Sequence, residues 1–329
     1  MTLSQHAFRG VVDLPLILEL VRSQPSSCRH VIDLPWRLCS PAIDDGRDAA
    51  YWQDAAGRVV GFAAWQYYWA ALDFFIQPDL PSDEAQGVEA DLFAWADGRF
   101  RERDEERGRP LPYAVEFRDD DDARRQMCMA HGFLLDEYDS YVSLTHTLAS
   151  LAPVPGLPDG FALRLLQGEP EAAAYAALHR VAFGSDSMTP EWRARTLRTP
   201  QYRADLDLVV TAPDGGLAGF CVGWYEPARR LAQIEPIGVH PRYQQHGLAR
   251  ILLLETLHRF KRLGAERALV ETNLERTPAC RAYEAVGFQQ THTIRRLEKW
   301  AGSRRVSVQP GCAKKVQPSP AKPNICSRY

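Results

Sequence analysis

Apolar residues along the chain alternate between short strand-like runs and stretches with a helical period of about 3.6, and each change marks an element. In the C-terminal half, Phe161 to Leu166 reads as a strand, and Pro170 to Phe183 as an alanine-rich helix with proline near its first turn. Met188-Thr-Pro-Glu-Trp192 opens another helix, with Thr189 placed to cap it. Asp207 to Thr211, Leu217 to Tyr225 and Leu231 to Val239 follow as strands, the first two joined by the turn Pro213-Asp-Gly-Gly216. Leu248 to Leu263 is helical, turns Ile251, Leu252, Leu254, Leu257 and Phe260 inward, and closes on Lys261, Arg262 and Gly264. Arg267 to Thr272 is a strand and Pro278 to Val286 a helix, after which Gly287-Phe288 leads into closing strands to about Lys299. One strand–helix–strand crossover is clear, which predicts an α/β domain with a mixed, mostly antiparallel sheet flanked by helices.

The same order occurs earlier in the chain. Gly57-Arg-Val-Val-Gly-Phe-Ala-Ala matches Gly215-Gly-Leu-Ala-Gly-Phe-Cys-Val at a constant offset of 158 (215 − 57 and 219 − 61). Ile76-Gln-Pro78 parallels Val239-His-Pro241, and Ala130-His-Gly-Phe133 parallels Ala285-Val-Gly-Phe288. Three matches in register point to an internal duplication. Between the halves, Pro153, Pro155 and Pro158 punctuate an aperiodic linker, residues 149–159. From Gly302 the chain has no apolar period and carries Arg304, Arg305, Lys314, Lys315 and Lys322, which reads as a disordered basic tail over residues 302–329.

Bulk properties narrow the class. The 329 residues suffice for two cores, and a net charge of −3 argues against a partner held by phosphate neutralisation, so no nucleic acid is expected. No apolar run approaches the roughly 18 residues of a membrane span, and the N-terminus lacks the layout of a signal peptide. Seven cysteines with no C-x-x-C pair suggest reduced thiols in a cytoplasm, and neither a disulfide framework nor a metal site.

The candidate chemistry centres on Gly238-Val-His-Pro-Arg-Tyr-Gln-Gln-His-Gly-Leu-Ala-Arg250. A strand that stops at Pro241 feeds a polar loop and then a helix opening at Gly247, where backbone N–H groups and the helix dipole favour an anion. The loop lacks both the ending of a nucleotide-hydrolysing P-loop and the three glycines of a dinucleotide fingerprint. The matching place in the first half, Asp79-Leu-Pro-Ser-Asp83-Glu84-Ala-Gln-Gly87, has three carboxylates instead, which would repel an anion. Four residues before Gly287 stands Tyr283, whereas Cys128 stands four before Gly132. The first half is expected to serve as a scaffold or as part of an acceptor pocket.

Gln244, Gly247 and Ala249 fit the pattern Gln/Arg-x-x-Gly-x-Gly/Ala. About thirty residues on come Asn273 and the block Pro278-Ala-Cys-Arg-Ala-Tyr283-Glu-Ala-Val-Gly287-Phe288. Together these make residues 160–301 resemble an N-acetyltransferase domain of the GNAT superfamily, and the layout resembles a tandem GNAT chain whose first copy, residues 1–148, is degenerate. The resemblance implies acetyl-CoA as co-substrate, with no metal. Backbone groups of Gln245, His246, Gly247, Leu248, Ala249 and Arg250 would hold its pyrophosphate, with Gln244 opening the motif. Ile237 and Val239 would pair with the pantetheine arm, and Asn273 would contact it from the next strand. It further implies Tyr283 as the acid that protonates the departing thiolate. Glu235, in the apolar context Ile234-Glu-Pro-Ile237, is a candidate base, although it could equally bind a cationic acceptor or pair with an arginine. The implied activity is acetyl transfer to a primary amine of a small molecule or peptide by direct attack in a ternary complex; the alternative is a non-catalytic acyl-CoA-binding module. Neither the acceptor nor the oligomeric state follows from these residues.

Overall fold

The computed structural model describes residues 3–24, 32–66, 69–108, 110, 112–273 and 277–300. The tail expected from Gly302 lies outside the described residues. The first half runs β1 (Ser4–Ala7), α1 (Leu14–Arg22), α2 (Leu34–Arg37), β2 (Ala49–Gln53), β3 (Val59–Gln66), β4 (Ala71–Ile76), α3 (Ser82–Arg107), β5 (Pro112–Arg118), α4 (Asp122–Ala130) and β6 (Leu134–His146). The second runs β7 (Ala162–Leu165), α5 (Ala172–Phe183), α6 (Pro190–Leu197), β8 (Asp207–Thr211), β9 (Leu217–Glu226), β10 (Leu231–Val239), α7 (Leu248–Arg262), β11 (Arg267–Asn273), α8 (Thr277–Glu284) and β12 (Gln289–Trp300). The repeat read from sequence is therefore a repeat of structure, down to the strand, Pro-stop, helix, strand, helix, Gly-Phe, strand order. Thr189 caps α6 as its residue type suggests, its hydroxyl accepting from the Trp192 N–H at 3.1 Å.

All strands of the described residues join one sheet, in the order β1-β2-β3-β4-β5-β12-β6-β11-β10-β9-β8-β7. Only β4–β5 and β10–β11 are parallel, each joined through its long helix, and the other pairs are antiparallel. The two halves exchange their last strands. β6 pairs with β11 through Tyr141–His146, while β12 pairs with β5 through Ile294–Trp300. Between them β6 and β12 run antiparallel, from Leu134 opposite Glu298 to Thr145 opposite Gln289. The Lys299 ammonium, 2.7 Å from both oxygens of Asp97, ties the crossed-over β12 to α3. The linker crosses α7, where Lys261 and His258 donate to the carbonyls of Ala149 and Ala152, and Leu151, Val154 and Leu157 pack on the core.

Helices cover both faces of this sheet. α7 packs with strand residues such as Leu208, Ala232 and Val270, and α3 does the same for the first half through Val88, Leu92 and Phe100. On the opposite face, the cluster beneath α5 and α6 also contains Ile32, Trp36, Trp69 and Ala71 of the first half. The dense aromatics around Trp65 and Trp69 thus divide: Trp65 is core of the first half, and Trp69 packs edge-on against Trp192 of the second. Cys221 is fully buried in mid-strand, a small core residue. Among the described residues, no helix is long and apolar enough to cross a membrane, and no group of His, Cys, Asp and Glu could hold a metal.

Candidate active site

A wedge-shaped gap opens in the sheet between β10 and β11. Their parallel pairing runs only from Leu231 opposite Arg267 to Gln233 opposite Leu269. The register of β10 against β9 then slips between Ile234 and Ile237, across Glu235 and Pro236. A proline has no N–H to continue a ladder, and an extra residue bends the strand away from its neighbour. Beyond the slip, Ile237, Gly238 and Val239 keep β9 as partner, while Val270 to Asn273 are paired to β6 on their far side. The His240 N–H donates to the Ala218 carbonyl at 2.8 Å. Strand alternation therefore turns the N–H groups of Val239 and Ile237 to the other edge, into the gap.

At the wide end of the gap lies the loop. His240 Nδ1 accepts from the Arg242 N–H at 3.1 Å, capping the single turn Pro241–Tyr243. This gives His240 a structural task in place of a proton relay. Gln245 (φ 65°) and Gly247 (φ 77°) are both left-handed, which turns successive N–H groups toward one side. Gly247 begins α7, and no side chain caps it; the first helical bond is Ile251 N–H to the Gly247 carbonyl at 3.1 Å. The N–H groups of Leu248, Ala249 and Arg250 thus have no intrahelical partner. A Cβ built on Gly247 meets nothing within 4 Å, so the space before the helix is open. Gln244, Gln245, His246 and Arg250 are exposed around it, with Arg242 adding a further positive charge. The His246 Nδ1–H donates to the Gln244 carbonyl at 2.8 Å, and the Tyr243 hydroxyl anchors the loop to Asp214 at 3.0 Å. The Gly216 N–H and that hydroxyl hold the Asp214 carboxyl below the usual range.

At the narrow end, Glu235 is buried where β10 turns away. Glu235 and Pro236 line a cavity of about 20 Å³ with Tyr175, Arg193, Trp192, Trp224 and, from the first half, Trp36. That volume holds one water-sized group. The Trp224 indole donates to the Glu235 carbonyl at 2.7 Å, fixing the backbone there. The Arg193 guanidinium is ion-paired with buried Asp207 and lies 3.8 Å over the Tyr175 ring; Tyr202 donates to the same Asp207 at 2.7 Å. Burial raises the Asp207 carboxyl and the Tyr175 hydroxyl above their ordinary ranges. The nearby His179 imidazole is pushed down to about 3 by burial, so it stays neutral and leaves Glu235 as the ionisable candidate. Sequence reading missed the group Tyr175, Arg193, Tyr202 and Asp207, which converges from α5, α6, the segment after it and β8. No local spacing marks it.

Asn273 ends β11 at the gap, and Tyr283 projects from α8 into the apolar cluster that contains Leu248 and Leu252, its ring edge-on to Phe288 at 5.9 Å. The expected site residues therefore fall into three places: Ile237, Val239 and Asn273 on the gap, Gln244 to Arg250 at its mouth, and Glu235 in the closed pocket. Tyr283 packs under the helix that follows the loop.

The first half has the same frame with its gap filled. β4 and β5 pair only at Ala71 opposite Ala114. Across the parting strands lies Arg124, whose Nε donates to the Glu116 carbonyl at 2.9 Å and whose two terminal nitrogens reach the Phe74 carbonyl at 3.4 Å. The guanidinium also stacks 3.8 Å over the Phe74 ring. Aligning Gly132 with Gly287 (287 − 132 = 155) places Arg124 opposite Ala279 (124 + 155), so the second half keeps a small residue where the first has its plug. The helix entrance carries Asp83 and Glu84 in its first turn, and Asp79 is paired with Arg58 at 3.2 Å. In the run Asp119 to Asp122, Asp119 accepts from the Thr293 N–H, Asp120 pairs with Arg118 and Asp121 caps α4.

Comparison with known proteins agrees with this geometry. Residues 173–288 match the sequence model described as Acetyltransferase (GNAT) family. Mycothiol acetyltransferase of Kineococcus radiotolerans is 32% identical over 150 residues, covering 44% of this chain and 48% of that protein. The Thermomonospora curvata protein of the same name is 28% identical over 142 residues, covering 42% and 48%. The chain thus spans about half the length of the curated relatives it matches. Among solved structures, a tandem GNAT protein from the clavulanic acid biosynthesis pathway superposes with a TM-score of 0.67 at 18% identity, over 92% of this chain and 100% of that one. A GCN5-related N-acetyltransferase from Sphaerobacter thermophilus gives 0.63 at 19% identity, over 91% and 96%. Residues 173–288 are a domain of the acetyltransferase (GNAT) family, set in a chain with the fold of a tandem GNAT protein.

Proposed function

We propose that this chain moves an acetyl group from acetyl-CoA to a primary amine of a small molecule or peptide, by direct attack in a ternary complex. The observation that carries the reading is the conjunction of the gap and the loop. An uncapped helix entrance with left-handed Gln245 and Gly247 suits a pyrophosphate, and the β10 edge beside it presents N–H groups to an amide-bearing arm. Gln244 to Arg250 would take the pyrophosphate, and Ile237, Val239 and Asn273 the arm. The bound thioester supplies an activated acyl carbon.

The chain's own groups then have defined tasks. The Val239 N–H donates to the thioester oxygen as negative charge grows there. The acceptor arrives as an ammonium, because an alkylamine is mostly protonated at neutral pH. Glu235 takes one proton from it, and the neutral nitrogen attacks the carbonyl carbon. The carbon–sulfur bond breaks, and the thiolate receives a proton from Tyr283, leaving an amide and a thiol. A tyrosine pKa of about 10 against about 8.5 for a thiol opposes that last transfer, so Tyr283 acts only where the pocket shields the thiolate from water.

The test is acetyl-CoA-dependent thiol release over a panel of primary amines. Tyr283→Phe is expected to lower kcat by about 10²-fold with the KM for acetyl-CoA unchanged. An unaltered rate would remove Tyr283 from the chemistry, and absence of thiol release with every amine would defeat the reading. The plugged first half gives a second expectation. Calorimetric titration should find one acetyl-CoA per chain, and Arg124→Ala should leave that number at one, because Asp79, Asp83 and Glu84 still stand at the helix entrance. Two sites in the native chain would show that the plug yields to the ligand.

A further inference from the structure

We propose that the first half completes the acceptor pocket: Trp36, with Trp192 and Trp224 of the second half, forms an aromatic box that admits an unsubstituted primary ammonium and rejects methylated or neutral head groups. The inference rests on the transferase reading for the identity of the acceptor nitrogen, and on the cavity itself for the rest.

Three features of the cavity carry it. Its walls combine three indoles with the Glu235 carboxylate, the pairing of π faces and negative charge that recognises cations. Its buried charges do not balance, since Glu235 and Asp207 face one guanidinium, Arg193. Arg193 is turned onto Asp207 and stacked on Tyr175, so its charge is already matched, and the excess negative charge resides at Glu235. The Tyr175 hydroxyl is fully buried, has no hydrogen-bond partner and lines the same cavity, a ready acceptor for an ammonium proton. Volume sets the upper limit. About 20 Å³ takes a group the size of water, which an ammonium matches and a trimethylammonium far exceeds.

Trp36 is held for this role by β10 itself. Its indole donates to the Gln233 side chain at 3.3 Å, and Gln233 donates to Asp33 at 2.6 Å, two residues before the turn at Glu235. Trp69 braces the ring edge-on at 6.1 Å and contacts Trp192 at 6.3 Å. The chain segment around α2 thus docks against the strand that carries the carboxylate, and the worn half gains a part in selecting the acceptor. Pro236 also lines the cavity, which places its open side next to the first gap-facing residue, Ile237.

The probe is ethylammonium, with ethanol as neutral control and tetramethylammonium as oversized cation, each read by saturation-transfer NMR on the CoA-loaded full chain. Saturation should pass to ethylammonium alone, and fall at least fivefold in Trp36→Ala with recovery in Trp36→Phe. In turnover, Trp36→Ala should raise the KM for the amine about tenfold and leave that for acetyl-CoA unchanged. Equal transfer to all three probes, or an unchanged signal in Trp36→Ala confirmed as folded by its near-UV circular dichroism, would overturn the box. If the probe pattern holds while no amine supports thiol release, the box stands and the transferase reading falls.

Discussion

Glu235→Gln is expected to lower kcat by about 10²- to 10⁴-fold while leaving the KM for acetyl-CoA close to its native value. The side chain keeps its shape, and the Trp224 bond to the residue's carbonyl does not depend on the carboxylate, so the turn of β10 survives. What disappears is a proton acceptor inside a cavity that admits about one water, where solvent cannot substitute efficiently. The variant makes a second, sharper statement. With no internal base, only amine that is already neutral can react, and its fraction rises tenfold per pH unit until the amine's own pKa. The rate of the variant should therefore climb with unit slope through pH 7 to 9, while the native rate flattens once Glu235 is ionised. Initial rates of thiol release across that range provide the measurement. A native-like profile in the variant would exclude Glu235 as the base and move attention to water in the open part of the gap.

Much of this site could be read from the sequence because its determinants are local. Gly247 precedes a long amphipathic run, Pro236 interrupts a strand pattern, and Tyr283 precedes Gly287-Phe288 at fixed spacing. Strand and helix bounds in the second half match their patterns closely, β10 from Leu231 to Val239 among them. The exchange of β6 and β12 was not legible. Each strand alternates apolar and polar residues in the same way whether its neighbour is β5 or β11, and only the path of the linker across α7 decides between the edges. The pocket around Glu235 was hidden for a related reason. Trp36 lies 199 positions before Glu235 (235 − 36), and Arg193 and Asp207 are brought together by packing with no motif between them. Arg124 is the intermediate case. The repeat offset sets it against Ala279, and a large cation opposite an alanine in a duplicated helix is a signal that comparison of the halves could have raised.

Gly247→Asp should separate cofactor binding from stability by moving them apart. The first half shows what acid at this place does: its helix opens on Asp83 and Glu84, with Asp79 just before. In the second half, a carboxylate at Gly247 would sit beside the N–H groups of Leu248, Ala249 and Arg250, where an anion belongs. Aspartate tolerates the left-handed conformation better than most residues, its Cβ meets no atom within 4 Å, and a negative charge at a helix N-terminus is favourable by about 0.3–1 kcal/mol. The unliganded protein should thus melt at or slightly above the native temperature. Toward a pyrophosphate the sign reverses. Two like charges about 4 Å apart repel by about 4 kcal/mol at an effective dielectric of about 20, so the KM for acetyl-CoA should rise by about 10²- to 10³-fold. Gly247→Ala is the necessary companion, because it strains φ by about 1–2 kcal/mol and adds no charge; it should lower the melting temperature and raise KM only about tenfold. If the aspartate variant binds acetyl-CoA as well as the alanine variant does, charge at the helix entrance is not what distinguishes the two halves, and the anion cradle must lie elsewhere on the gap.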